Sequence, residues 1–342
     1  MATKFLNINK LVADPDLDAP SFISGATRVA YFSFKPTPRL DQLLNEIDLA
    51  GCTERDAYKL STSWAASLPE DLQRAILYFV RCRSVDALVL KGLPVGNISK
   101  ISTPIEQGTD RLVGSFEALC MAVAMLYGSP IGYSTQQNGR LLNDIVPVEK
   151  QSAVSNHSGG FEHRFGFHTE DSFMQNPPNF IQLGCVRNPT KTPVTISGLG
   201  RADTDNMTDS LLREPHFRIG INPGQSGWKS DDAYLGPLLT GPKRHPFLRF
   251  NDKETSVLDG ELATLKTLER ALNKNAVDLA LEPGDVAIIN NTRLAHARGS
   301  YAAKCDGTDR WLLRLVIYRN LDVIHQFIPD AEFPIIHPGA SE

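Results

Sequence analysis

The sequence predicts a mainly-β chain with flanking helices, a jelly-roll-like core wrapped by helical segments. Three observations carry that expectation. Apolar residues recur at helical spacing in the first third. From about residue 130 onward, short apolar or alternating runs are separated by Gly, Pro and Asn, the texture of a β-sandwich or barrel. No internal repeat, low-complexity stretch or linker divides the 342 residues, so a single domain over 1–342 is expected.

In chain order, Leu40 to Leu49 and Pro69 to Arg83 read as amphipathic helices. The second opens on Pro69, Glu70 and Asp71, good residues for a first turn at the positive end of a helix dipole. Residues 1–80 are accordingly expected to be a helical N-terminal part. Asp86 to Gly92 reads as a short buried strand ending at glycine, and Ser115 to Leu126 as an apolar helix packed across a sheet. The jelly-roll core is expected over about 85–322. Its strands fall in runs such as NFIQLGCV, PVTISGL, HFRIGI, VDLAL, DVAIIN and WLLRLVIYR. One helix interrupts them, Asp259 to Lys274. Asn222 to Pro246 carries Gly, Pro, Ser and charge with little periodicity, and is a candidate long loop or lid.

Composition narrows the function. At 42% hydrophobic the chain can bury a large core without disulfides. Thirty-five basic against 39 acidic residues, with no Lys/Arg run, argue against a nucleic-acid partner. Five scattered cysteines without a CxxC fit reduced thiols. The opening MATKFLNINKLVADPD lacks a signal-like apolar run, and no segment reaches the ~20 apolar residues of a membrane helix. A cytoplasmic protein without a membrane partner is expected.

The sharpest local signal is Phe167-His168-Thr169-Glu170-Asp171. On a strand, alternate side chains share a face, so His168 and Glu170 point the same way, ~6.6 Å apart along an extended chain. His296 follows a buried-looking strand, Gly284 to Asn290. Two histidines and one carboxylate make the facial triad of non-haem iron(II) oxygenases. A bare His-x-Glu is more often a surface pair, and the other histidines (His157, His163, His216, His245, His325, His337) have no comparable context. The segment Arg310 to Arg319 adds a second line. It reads as a strand with Arg310 and Arg314 on one face beside Leu312 and Val316. Buried arginines need anions, and carboxylate ligands match the planar guanidinium. A non-catalytic cupin-like metal-binding barrel explains the histidines but not those two arginines.

Together these segments resemble the clavaminate synthase-like branch of the 2-oxoglutarate oxygenases, above all its viomycin-pathway L-arginine hydroxylase and related free amino acid hydroxylases. The likeness covers about 85–322. It runs through Ser134 to Arg140, His168 to Phe173, Val186 to Pro189, Gly284 to Ala287, Asn291 to His296 and Cys305 to Leu312. The resemblance implies a distorted double-stranded β-helix and an Fe(II)- and 2-oxoglutarate-dependent dioxygenase that uses O2. It places iron on His168, Glu170 and His296. It sets Arg310, with Thr195 as hydroxyl partner, on the distal carboxylate of 2-oxoglutarate. It sets Arg314 on the substrate α-carboxylate, with Gln137 and the outward oxygen of Glu170 receiving the α-amine. Glu170 also fills the position that a halogenase leaves open for chloride.

The chain departs from the arginine hydroxylase at Leu248 to Lys253. There Asn251 and Lys253 stand where that enzyme carries two aspartates for the guanidinium, and only Asp252 remains acidic. One carboxylate with neutral acceptors suits an ammonium better than a guanidinium fork. The expected substrate is therefore free L-lysine, hydroxylated at C3 or C4. L-Arginine or a neutral amino acid such as asparagine or citrulline is the alternative, and Asn251 and Asp252 are the candidate side-chain contacts.

Overall fold

The computed structural model describes residues 22–23, 25–81, 85–154, 157–205, 209–222, 225–258, 262–330 and 332–338. The opening segment MATKFLNINKLVADPD lies outside them. So does Cys82, and so do the first three residues of the helix expected at Asp259.

The first third mixes strand and helix. Strands β1 (Phe22–Ile23) and β2 (Val29–Ser33) precede three helices, so the described part of the expected helical segment also carries two strands. Helix α1 (Pro38–Ala50) is delimited by local chemistry: the Thr37 side chain accepts from Leu40 N, Pro38 opens the first turn, and Gly51 ends it at φ 63°. Helix α2 (Glu54–Ser67), which the apolar spacing did not reveal, is capped by Thr53 accepting from Asp56 N. Helix α3 (Glu70–Arg81) buries Leu72, Ile76 and Phe79.

Then come β3 (Ala87–Lys91), the buried helix α4 (Ser115–Met125), β4 (Ser129–Tyr133), β5 (Asn143–Ile145), β6 (Phe165–His168), β7 (Phe180–Arg187) and β8 (Val194–Ser197). Short helices α5 (Arg201–Asp205) and α6 (Asp209–Leu212) lead to β9 (Phe217–Ile219), β10 (Tyr234–Gly236), β11 (Leu239–Thr240), β12 (Phe247–Leu248) and β13 (Thr255–Val257). Segment 222–246 thus holds two short strands, β10 on β9 and β11 on β12, among irregular chain. Helix α7 (Leu262–Lys274), β14 (Val277–Leu279), β15 (Val286–Asn290), β16 (Ala295–Arg298), β17 (Trp311–Tyr318) and β18 (Ile335–Ile336) complete the order.

Two sheets form the mainly-β jelly-roll core. The larger runs β1-β2-β3-β15-β7-β17-β4-β18, with β5 also on β17, and the smaller runs β14-β8-β16-β6. Period-two alternation splits each central strand of the larger sheet between two cores. Trp311, Leu313, Leu315 and Ile317 of β17 join Val286 and Ile288 of β15 against the helices. Leu312, with Ile181, Leu183, Ala287 and Ile289, faces the smaller sheet instead. Helix α4 crosses the first face so closely that a Cβ on Gly184 of β7 would meet Cys120 Sγ at 2.7 Å. Glycine at 184 is what lets helix and sheet approach.

Beside α4 lies a buried ion cluster. Arg111 reaches Glu117 at 2.5 Å and Asp144 at 2.9 Å, and Arg140 lies 3.5 Å from Glu117 and 3.6 Å from Asp144. Trp311 Nε1 also donates to Asp144 Oδ1 at 2.8 Å. Glu117 and Asp144 have no solvent exposure, and each has arginine partners supplied by the chain itself.

Candidate functional site

The site opens between the two sheets, where β6 meets β16. Their antiparallel register sets His168 opposite His296, with ring centroids 4.0 Å apart. A bulge between His296 and Arg298 breaks the alternation, and the Phe165 ring lies stacked on His168 at 4.2 Å. Strand β6 ends at His168, so Glu170 projects from just beyond it rather than from the strand. Asn291 fixes that turn: its Oδ1 accepts from Glu170 N at 2.7 Å, and its Nδ2 donates to Glu170 O at 3.1 Å. Asp171, at φ 49°, bends the chain away.

His168, Glu170 and His296 each offer a ligand atom, all within 4.8 Å of one another. Nδ1 of His168 pairs with Gly166 O at 2.9 Å, which fixes the ring and leaves the other nitrogen for a metal. Burial holds both imidazoles below the ordinary histidine range, His296 most strongly, with His168 beside it adding to the effect. Neutral rings are the form that binds metal. Two nitrogens and one carboxylate suit iron(II) and leave further coordination positions open.

A cavity of about 300 Å³ reaches this triad, within the range of small-molecule sites. Arg314 enters it from β17. Its Nη1 donates to Glu170 Oε1 at 2.9 Å, and its Nη2 to Asn143 Oδ1 at 2.6 Å and Gln136 Oε1 at 3.3 Å. Nε of Arg314 is buried without a partner. Gln137 lines the same wall, with its amide gripping Asp144 N at 2.8 Å and Asp144 O at 3.0 Å. Asn251 lines the cavity too, paired across a bridge to His168.

Arg310 stands immediately before β17. It is 3% exposed, and its Nε and Nη1 are buried with no hydrogen-bond partner. Its guanidinium lies 5.8 Å from the centre of the Tyr301 ring, whose hydroxyl is also buried and unpartnered. Neighbouring Arg298 donates to the carbonyls of Ser158, His163 and Gly299, and burial pushes it down to about 10. Burial lowers Arg310 as well. A desolvated guanidinium with no carboxylate partner among the described residues is chemically suited to receive an anion.

Two expected contacts fall elsewhere. Thr195 pairs in register with Ala297, so it faces away from His296, and its hydroxyl donates to Asp278 at 2.6 Å. It cannot serve a ligand beside Arg310 from there. Asp252 packs against Gly166, where a Cβ would meet its Oδ2 at 2.1 Å, and burial, with the Asp252 charge adding to it, pushes up the Glu269 carboxyl of α7. It does not line the cavity. Conversely, Asn143, Asn291, Arg298 and Tyr301 support the site without having been singled out. The only signal for them was position, next to motif residues at the ends of strands.

The comparisons agree with this geometry. Residues 239–316 match the family described as taurine catabolism dioxygenase TauD, TfdA family. The chain is 30% identical over 319 residues to the enduracididine beta-hydroxylase of Streptomyces hygroscopicus, covering 82% of this chain and 90% of that one. The non-heme iron oxygenase OrfP, solved with Fe and alpha-ketoglutaric acid, superposes with a TM-score of 0.79 at 26% identity over 90% of this chain and 99% of its own. An asparagine oxygenase solved with Fe(II), 2S,3S-3-hydroxyasparagine and succinate matches at a TM-score of 0.78 and 26% identity, with the same coverage. The chain thus belongs to the TauD/TfdA dioxygenases, in the branch of iron- and 2-oxoglutarate-dependent amino acid hydroxylases that includes the clavaminate synthase type.

Proposed function

We propose that the chain hydroxylates a free L-α-amino acid, with His168, Glu170 and His296 holding iron. The observation that carries this reading is the pair of arginines just before β17 and within it: Arg310 Nε and Nη1, and Arg314 Nε, are buried with no hydrogen-bond partner. Such groups cost about 1–3 kcal/mol each when unmet, so the pair calls for two anionic ligands. Arg310 is assigned the distal carboxylate of 2-oxoglutarate, with the Tyr301 hydroxyl as its neighbour in place of Thr195. Arg314 is assigned the α-carboxylate of the amino acid, and Gln137 with the outward oxygen of Glu170 its α-amine.

When bound, iron and 2-oxoglutarate supply the oxidising power that places an oxygen atom from O2 on a C–H bond, with succinate and carbon dioxide released. The chain's own share is to bind and orient. Asn143 and Gln136 hold the Arg314 fork, Asp144 holds the Gln137 amide, and Asn291 holds Glu170. The finer expectation, L-lysine hydroxylated at C3 or C4, rested on Asp252. With Asp252 against Gly166, that residue offers an ammonium in the cavity nothing. The test is succinate release from protein, Fe(II) and 2-oxoglutarate across a panel of free amino acids. Release that no amino acid stimulates would remove the proposal.

A further inference from the structure

The cavity wall also bears on the amino acid's side chain, given the recognition of its main-chain groups proposed above. Among the described lining residues the carboxylates are Glu170 and Asp171. Both are engaged. Glu170 belongs to the metal triad and pairs with Arg314, and Asp171 accepts from the Tyr133 hydroxyl and from Gln225 Nε2. The remaining polar lining is rich in amides, among them Gln107, Gln151, Asn222, Gln225 and Asn251. A lysine ammonium or a guanidinium brought here would leave water and meet only carboxylates that already accept hydrogen bonds from the chain, which is costly for a cation.

Two of those amides have orientations fixed by their partners. Asn251 Oδ1 accepts from Lys253 N at 3.1 Å and Glu254 N at 3.3 Å, which leaves its Nδ2 donor for the cavity. Gln225 is 9% exposed and gives its Nε2 to Asp171, so its Oε1 is left buried with no partner. Among the residues lining the cavity, Asn251 thus keeps an N–H donor and Gln225 an unmet carbonyl acceptor. A primary carboxamide or a urea presents the complement, one C=O and one NH2 on a planar group.

We propose that the substrate's side chain is uncharged and ends in a carboxamide or ureido group, as in asparagine, glutamine or citrulline. Asn251 Nδ2 donates to its carbonyl oxygen and Gln225 Oε1 accepts from its NH2. Asn251 and Gln225 are therefore the specificity-determining residues, and the assignment rests on the free amino acid reading above.

The test uses the full chain with Fe(II) and 2-oxoglutarate. It compares L-asparagine, L-glutamine and L-citrulline with L-lysine, L-ornithine, L-arginine and L-leucine. Product is followed by mass, and anaerobic binding by calorimetry. At least one carboxamide or ureido substrate should exceed every cationic and apolar one by about 10- to 100-fold in kcat/KM, the worth of one or two hydrogen bonds to the site. Asn251→Asp keeps an oxygen for Lys253 N and Glu254 N, so the turn survives, and it brings a carboxylate to the wall. It should shift the preference toward the cationic group by about tenfold or more. Turnover that favours the cations or leucine in the parent overturns the side-chain assignment alone. Neither turnover nor binding with any member of the panel overturns the free amino acid reading as well.

Discussion

Two sets of buried arginines lie near the start of β17, where Arg111 stacks on Trp311, the residue after Arg310, and they have opposite relations to the fold. Arg111 and Arg140 close on Glu117 and Asp144, so their charges are met by the chain itself. Arg310 is just as buried, yet two of its nitrogens meet no acceptor. A buried charge whose partner is missing is strongly destabilising, so a guanidinium left with unmet N–H groups calls for a ligand to complete it. Burial and charge alone do not separate structure from function here. For Arg310 the absence of any hydrogen-bond partner for Nε and Nη1 is what sets it apart from Arg111 and Arg140, which sit on carboxylates.

The contrast can be broken at several points, beginning with the triad. His168→Ala and His296→Ala should reduce succinate formation to background while circular dichroism stays native-like, because these rings await a ligand and hold no strand together. Near-normal turnover in either variant would contradict the assignment.

The self-completed cluster should behave in the reverse way. Asp144→Ala leaves Arg111 and Arg140 short of an anion, and urea unfolding should show a loss of about 3–5 kcal/mol, the usual cost of breaking a buried pair. Gln137 should keep its hold, since it is gripped by the backbone N–H and carbonyl of residue 144, which alanine retains. Arg310→Leu should leave urea stability equal or higher, because it removes an unmatched buried charge. It should also raise the 2-oxoglutarate concentration needed for half-maximal rate by one to two decades, matching about 1.5–3 kcal/mol for a charged hydrogen bond. If Arg310→Leu unfolds as readily as Asp144→Ala, the two groups are not different in kind.

A subtler measurement sharpens the same point without mutation. Fe(II) with 2-oxoglutarate at about 100 times its dissociation constant should stabilise the chain by about 2.7 kcal/mol, and Arg310→Leu should lose most of that gain. The smallest effects belong to the residues that the structure moves out of the site. Thr195→Val and Asp252→Ala should leave kcat and both substrate requirements within about twofold, since surface changes usually fall within ±0.5 kcal/mol. A steep rise in the 2-oxoglutarate requirement of Thr195→Val would restore it to the anion site.

Much of this was legible in the sequence, and the reasons differ by residue. The faces of β17 could be read because period-two alternation over eight residues is hard to mistake. Arg310 and Arg314 followed from it directly. The His168 and Glu170 pair was legible as a motif, but its geometry was not, since β6 stops at His168 and a side chain distant in sequence, Asn291, holds Glu170 in place. Thr195 was misplaced although the signal was available: Val194 and Ile196 flank it as core residues, so the alternation already turns Thr195 outward. Asp252 lay beyond such reasoning, because a turn has no period and Gly166 opens its niche only in three dimensions. Helix α2 escaped because its buried residues are Ala57, Ser61 and Ala65, too small to print an apolar stripe.

Strand β17 also acts as a ruler. Arg310 and Arg314 are four residues apart on an extended backbone, which sets their Cα atoms about 13 Å from each other. On the roles proposed here, that interval spaces the far end of the cosubstrate from the head of the amino acid, and it does not depend on what the amino acid's side chain is. Changing it would mean re-registering a central strand that is packed on both faces. Diversification toward a new side chain is then free to proceed at the periphery, in turns such as the one at Asn251, while the gauge between the two carboxylates stays constant. Relatives described as acting on enduracididine, ornithine or arginine, asparagine and lysine are the pattern such a fixed gauge would leave.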